Sequence, residues 1–133
     1  MSGLVLKLRP GERIMINGVV MENGDRRTRL NVLTADANVL RLRDAIHPED
    51  ANTPVRRVCY IAQLVLAGEA DSALGQRQLL TGISQLGQVF TDGESHGLLE
   101  TARQNVAAQK FYQALKALRD LLPQEARLMA AAP

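Results

Sequence analysis

A chain of 133 residues with 46% apolar and 23% charged side chains is long enough to bury a core unaided and too apolar to stay disordered. Aromatics at 3%, with no Trp, leave the core to Leu, Ile, Val, Ala and Met, and the lone Cys59 excludes both an internal disulfide and a clustered-thiolate zinc site. The net charge of +2 is small but unevenly spread: residues 1–47 hold eight basic residues against five acidic ones, and the remainder eight against nine.

The chain opens with Leu4-Val5-Leu6-Lys7-Leu8-Arg9, whose alternation has the two-residue period of a half-buried strand, closed by a Pro10-Gly11-Glu12 turn. Arg13-Ile14-Met15-Ile16 and Val19-Val20-Met21-Glu22 flank Asn17-Gly18, a strong two-residue hairpin signal. Asn23-Gly24-Asp25 reads as another tight turn, and Thr28 to Leu33 and Asn38 to Arg43 complete about five short strands. Parallel pairing would need long crossovers that the spacing does not provide, so one small antiparallel sheet, a meander or barrel, is expected over residues 1–47.

Seven of the eight cations in this stretch are Arg, whose planar fork suits bidentate phosphate contacts. Arg27 and Arg29 are two apart, as are Arg41 and Arg43, so strand periodicity predicts that each pair emerges on one face. With Lys7 and Arg9 of the opening strand they are the candidate contacts to a polyanion such as RNA. The alternative is a solvated basic surface serving solubility.

Residues 48–54 carry two prolines and several cap-type side chains and read as a linker. Thr53 followed by Pro54 starts a helix whose apolar residues Val55, Val58, Cys59, Ile61, Ala62, Val65 and Leu66 recur at three and four until Gly68. A second helix is predicted over about Asp71 to Phe90, where Gly75, Gly82 and Gly87 lower helix propensity and mark places where another helix approaches closely or a groove opens for a partner. Asp92-Gly93-Glu94 opens a third helix, a tight turn falls within Val106 to Tyr112, and a fourth apolar stripe runs from Phe111 to Leu122 and stops at Pro123. The expected fold is therefore α+β: the sheet, a bundle of about four helices over 55–123, and a frayed tail over 124–133. For Arg56 and Arg57, one is expected to pair across the boundary with Asp44, Glu49 or Asp50.

No phosphate-binding glycine loop, HExxH or paired cysteine occurs, and His47 and His96 stand alone, so neither catalysis nor a metal or other cofactor is expected. Cys59 lies on an apolar helix face and reads as a small buried hydrophobe. No apolar run approaches the roughly 18 to 20 residues that span a bilayer, and Met1 to Pro10 lacks a signal-peptide core. A cytoplasmic protein without a membrane partner is the expectation.

Leu4-Val5-Leu6-Lys7-Leu8-Arg9-Pro10-Gly11-Glu12, Arg56-Arg57 and Tyr112-Gln113-Ala114-Leu115-Lys116-Ala117-Leu118-Arg119 together resemble the FlbT family, flagellin-expression regulators of alphaproteobacteria. The resemblance covers essentially the whole chain. It implies a non-enzymatic protein that binds the 5′ untranslated region of flagellin mRNA, controls its translation and stability, and is functionally linked to the small regulator FlaF. The rival expectation is a protein-binding assembly factor or flagellin chaperone-like module that affects RNA only indirectly. The first 46 residues also look like the carbon storage regulator (CsrA) fold, through Leu6, Arg9, Gly11-Glu12, Ile16 and Arg43-Asp44-Ala45-Ile46. That likeness implies an RNA-binding edge formed by the first and last strands, with Arg43 as a main contact, and leaves a homodimer open. Arg41→Ala with Arg43→Ala is then expected to abolish leader binding without unfolding the protein.

Overall fold

The computed structural model describes residues 4–34 and 37–131, and its architecture is α+β, antiparallel strands first and helices after. The strands are β1 (Leu4–Leu8), β2 (Arg13–Ile16), β3 (Val19–Glu22), β4 (Thr28–Val32) and β5 (Val39–Arg41). β2 and β3 form the hairpin that Asn17-Gly18 announces: both turn residues have positive φ, 50° and 82°, as a two-residue turn matched to strand twist requires.

The pairing departs from a single meander. β4 leaves β3 and runs antiparallel to β1, while β5 joins the free edge of β2, giving a two-stranded sheet, β1-β4, and a three-stranded one, β3-β2-β5. The Asn23-Gly24 corner is the cause. Its carbonyl at Gly24 accepts from the Gly11 N–H at 2.9 Å, and the Asn23 side-chain amide donates to the carbonyls of Arg9 and Arg26, both at 2.8 Å. These bonds fasten the corner to the turn after β1 and deliver the chain to β1 rather than back along β3.

Five helices follow: α1 (Pro54–Leu66), α2 (Ser72–Val89), α3 (Gly93–Ala107), α4 (Phe111–Arg119) and α5 (Leu122–Ala131). Thr53, Asp71 and Asp92 cap the first three, accepting the N–H groups of Arg56, Leu74 and Ser95 that the helix leaves orphaned. Two of the α2 glycines are explained by packing: a Cβ on Gly75 would collide with Val65, and one on Gly82 would sit 2.9 Å from Val58 Cγ2. α1 itself is the closely approaching helix; Gly87 faces open space.

The stretch expected to fray is helical through Ala131; its last two residues lie outside the described range. Pro123 sits in the first turn of α5, where its missing N–H has no intrahelical partner to lose. Glu125 anchors the helix. Its side chain is buried and its carboxylate accepts from the Val55 N–H at 2.8 Å and the Thr53 hydroxyl at 2.5 Å, so α5 caps the start of α1 from outside.

One continuous core runs from Leu6, Leu8, Ile14, Val39 and Leu40 of the strands into the faces of α1 to α4. Polar bonds close the junction. The Gln63 side-chain amide brackets Ile46, accepting from its N–H at 2.6 Å and donating to its carbonyl at 3.0 Å, and Arg119 donates to the Asp44 carbonyl at 2.9 Å. Arg119 thus makes the cross-boundary contact expected of Arg56 or Arg57, both of which stay exposed beside Asn52. Among the described residues no helix is long and apolar enough to cross a membrane.

Candidate nucleic-acid interface

Residues directly opposite in an antiparallel pair project from the same face, so the β1-β4 register decides which cations meet. Lys7 stands opposite Arg29, and the next same-face step beyond the paired residues brings Arg9 to Arg27. These four side chains, with Leu8 and Thr28, line a hollow of about 370 Å³. Val5 and Asn31 continue the same face along the strands.

None of the four cations forms an ion pair among the described residues, whereas Arg13, Arg41 and Arg43 lie 2.9, 2.7 and 3.7 Å from a carboxylate oxygen. Like charges placed opposite one another destabilise a strand pair. The β1-β4 face therefore carries repulsion that an anion seated in the hollow would relieve. Four of the six candidate contacts, Lys7, Arg9, Arg27 and Arg29, are brought together by a pairing that the sequence did not disclose.

Arg41 is a correction. It is 8% exposed, its Nε donates to Glu12 Oε2 at 2.7 Å, and its Nη2 donates to Glu12 Oε1 at 2.8 Å and to the Lys7 carbonyl at 2.6 Å. Periodicity gives the reason: Arg41 lies opposite the buried Ile14, so its side chain follows Ile14 inward, and every residue of β5 is buried. The guanidinium fork locks β1, the Gly11-Glu12 turn and β5 together. The Arg41 hydrogen bonds hold the Glu12 carboxyl down at about 2, well below the usual carboxylate range. Tyr112 of α4 borders this pair, and burial raises its phenol pKa.

Arg43 does not share a face with Arg41, because the chain leaves the strand period and enters a 3-10 turn at Leu42–Asp44. Its Nε lies 3.7 Å from both Glu12 Oε2 and Asp44 Oδ1, with the side chain half exposed. The first and last strands, moreover, belong to different sheets. The CsrA-like arrangement of adjacent first and last strands, with Arg43 on the latter, is thus absent within this chain.

Elsewhere the chemistry is subdued. Burial pushes the Cys59 thiol up to about 12, leaving it protonated and unreactive near neutrality. His47 Nδ1 accepts from the Glu49 N–H at 3.3 Å and serves as a local cap. Among the described residues no group of three or more His, Cys, Asp or Glu side chains is placed to hold a metal ion.

Sequence reasoning missed Glu12, Tyr112, Arg119 and Glu125 as organising residues. Three of them sat within the quoted family-like segments, which was the available signal; Glu125 sat behind a proline read as a stop.

Residues 4–129 match the family model described as flagellar protein FlbT. The probable flagellum biosynthesis repressor protein FlbT of Allorhizobium ampelinum is 37% identical over 132 residues, covering 96% of this chain and 85% of that protein. The proteins of the same name from Brucella abortus strain S19 and Brucella ovis are 35% and 34% identical, each alignment covering 99% of this chain and 86% of the relative. No solved structure matches. A family match across nearly the whole chain, joined to these relatives, means that the protein belongs to the FlbT family of flagellar proteins.

Proposed function

We propose that this chain is a cytoplasmic, non-enzymatic regulator of flagellum biosynthesis that acts after transcription, seating the 5′ untranslated region of flagellin mRNA on the β1-β4 face and so controlling its translation and stability. The observation that carries this reading is the cluster of Lys7, Arg9, Arg27 and Arg29, four cations around one hollow with no carboxylate partner among the described residues. The relatives' name, flagellum biosynthesis repressor, is consistent with such a role.

The chemistry suits single-stranded RNA. The cations neutralise phosphates and release counterions, and Asn31 on the same face supplies a donor and an acceptor for the edges of unpaired bases in a leader loop. Stacking is not the device: Tyr60, Phe90, Phe111 and Tyr112 are the only aromatics, and all lie in the helical half.

Lys7→Ala with Arg29→Ala should lower the affinity for a flagellin leader RNA at least tenfold in a fluorescence anisotropy titration while leaving the circular dichroism spectrum unchanged. Wild-type affinity in that double variant would remove the β1-β4 face from consideration. A second reading, a protein-binding assembly factor that engages FlaF or flagellin and touches RNA only indirectly, draws on β3, where Val19 and Val20 are 59% and 54% exposed on an unpaired sheet edge. Undetectable RNA binding together with capture of purified flagellin or FlaF would favour it.

A further inference from the structure

A second surface, remote in sequence from the basic face, lies where α1 and α2 pack side by side. Gly82 lets the two helices close on each other at Val58, and outside that contact they leave an open groove of about 610 Å³. Its apolar walls are the half-buried Ile61 of α1 and Val89 of α2, 61% exposed, over a floor of buried Val58 and Leu86. Its α2 wall runs from Arg77 to Val89, roughly 18 Å at the helical rise, enough to receive three turns of another helix.

The charge is one-sided. Arg57 and Arg77 line the groove, no carboxylate does, and neither arginine forms an ion pair among the described residues. We propose that the α1-α2 groove docks a single amphipathic helix of a partner protein, its apolar stripe against Ile61 and Val89 and its flanking carboxylates on Arg57 and Arg77.

Two other occupants fit less well. RNA would meet an apolar lining with only two cations and no aromatic platform. A second copy of this chain would offer the exposed Leu128 and Met129 of α5, but beside them stands Arg127, which would bring a third positive charge to the same groove. An acidic amphipathic helix satisfies both the lining and the arginines, the helix-in-groove mode of recognition. This surface is independent of the RNA reading.

The test uses two synthetic helical peptides of about 18 residues that share one Leu stripe at i, i+3, i+4 and i+7. One carries Glu beside the stripe, the other Lys. Fluorescence anisotropy with the full chain should show the Glu peptide binding at least tenfold more tightly than the Lys peptide. Arg57→Glu with Arg77→Glu should invert that preference. Thr81→Trp, an exposed position on the groove wall, should weaken the Glu peptide at least tenfold while leaving leader RNA affinity and the circular dichroism spectrum unaltered. Equal binding of the two peptides, absence of binding, or indifference to Thr81→Trp would overturn the proposal. So would a concentration-dependent dimer in sedimentation that Thr81→Trp abolishes, since the groove would then belong to a second copy.

Discussion

The Glu12–Arg41 pair shows how one residue's surroundings reverse its meaning. As a string, Arg41 and Arg43 look like two cations on one strand face; in the fold, the strand ends between them, and Arg41 is committed to a buried carboxylate and a backbone carbonyl. Removing one member of a buried pair strands the other charge, so Arg41→Ala is expected to cost about 3–5 kcal/mol, read as a lower urea midpoint. The double variant at 41 and 43 therefore unfolds, or nearly so, and reports on the core rather than on RNA. The pH dependence follows from Glu12, held near 2 against an ordinary 4.5. A depressed carboxylate pKa contributes stability that is complete above about pH 4.5 and is lost as the pH falls toward 2, where the unfolded chain binds the proton first. Exposed Glu100, lowered by Arg103, shares this window, so the comparison that isolates Glu12 is Glu12→Gln. Urea unfolding at pH 6, 4 and 3 should show wild type losing stability on acidification and Glu12→Gln starting lower and losing distinctly less. Parallel slopes would mean the pair does not titrate as described. What made Glu12 hard to foresee is that its partner is 29 positions away in the chain.

Among the elements, helices were legible and strand partners were not. Three- and four-residue periodicity with Thr53, Asp71 and Asp92 at the caps marks α1 to α3 to within a residue or two, because both signals are local. Alternation marks a strand but says nothing of its neighbour; here the side-chain amide of Asn23 redirects β4 to β1. α5 is not legible because the apolar spacing runs on through Leu121 and Leu122 to Pro123, whereas α4 stops at Arg119 and the proline lies in the first turn of the next helix. Its Glu125 cap has a measurable consequence: Glu125→Ala leaves the Val55 N–H buried without a partner and should lower stability by about 1–3 kcal/mol in chemical denaturation. The α2 glycines give an opposed pair. Gly75→Ala drives a methyl into the β-branched, buried Val65 and should destabilise by about 1–3 kcal/mol despite its better helix propensity. Gly87→Ala meets open space and should stabilise by up to about 1 kcal/mol. Thermal melts of the two single variants moving in opposite directions would confirm the packing; a shared direction would not.

For the whole molecule, a charge difference that looked diffuse in the sequence becomes one face. The two arginine pairs expected on one sheet are split by the fold, and the half that survives, Arg27 and Arg29, gains Lys7 and Arg9 from the strand it pairs with. The site was thus half legible: the cationic residue types could be read, their assembly could not. Because the four cations repel one another, neutralising two of them should leave folding stability unchanged or slightly higher while RNA affinity falls, a combination that a merely structural role does not give. The most direct measurement is the affinity for flagellin leader RNA across a salt series from about 50 to about 200 mM, for which four phosphate contacts on a single strand predict a slope of log K against log salt near −3. The account predicts that Lys7→Ala with Arg29→Ala brings the slope to about half that value. A slope near zero in the wild-type protein, or the same slope in both proteins, would contradict it.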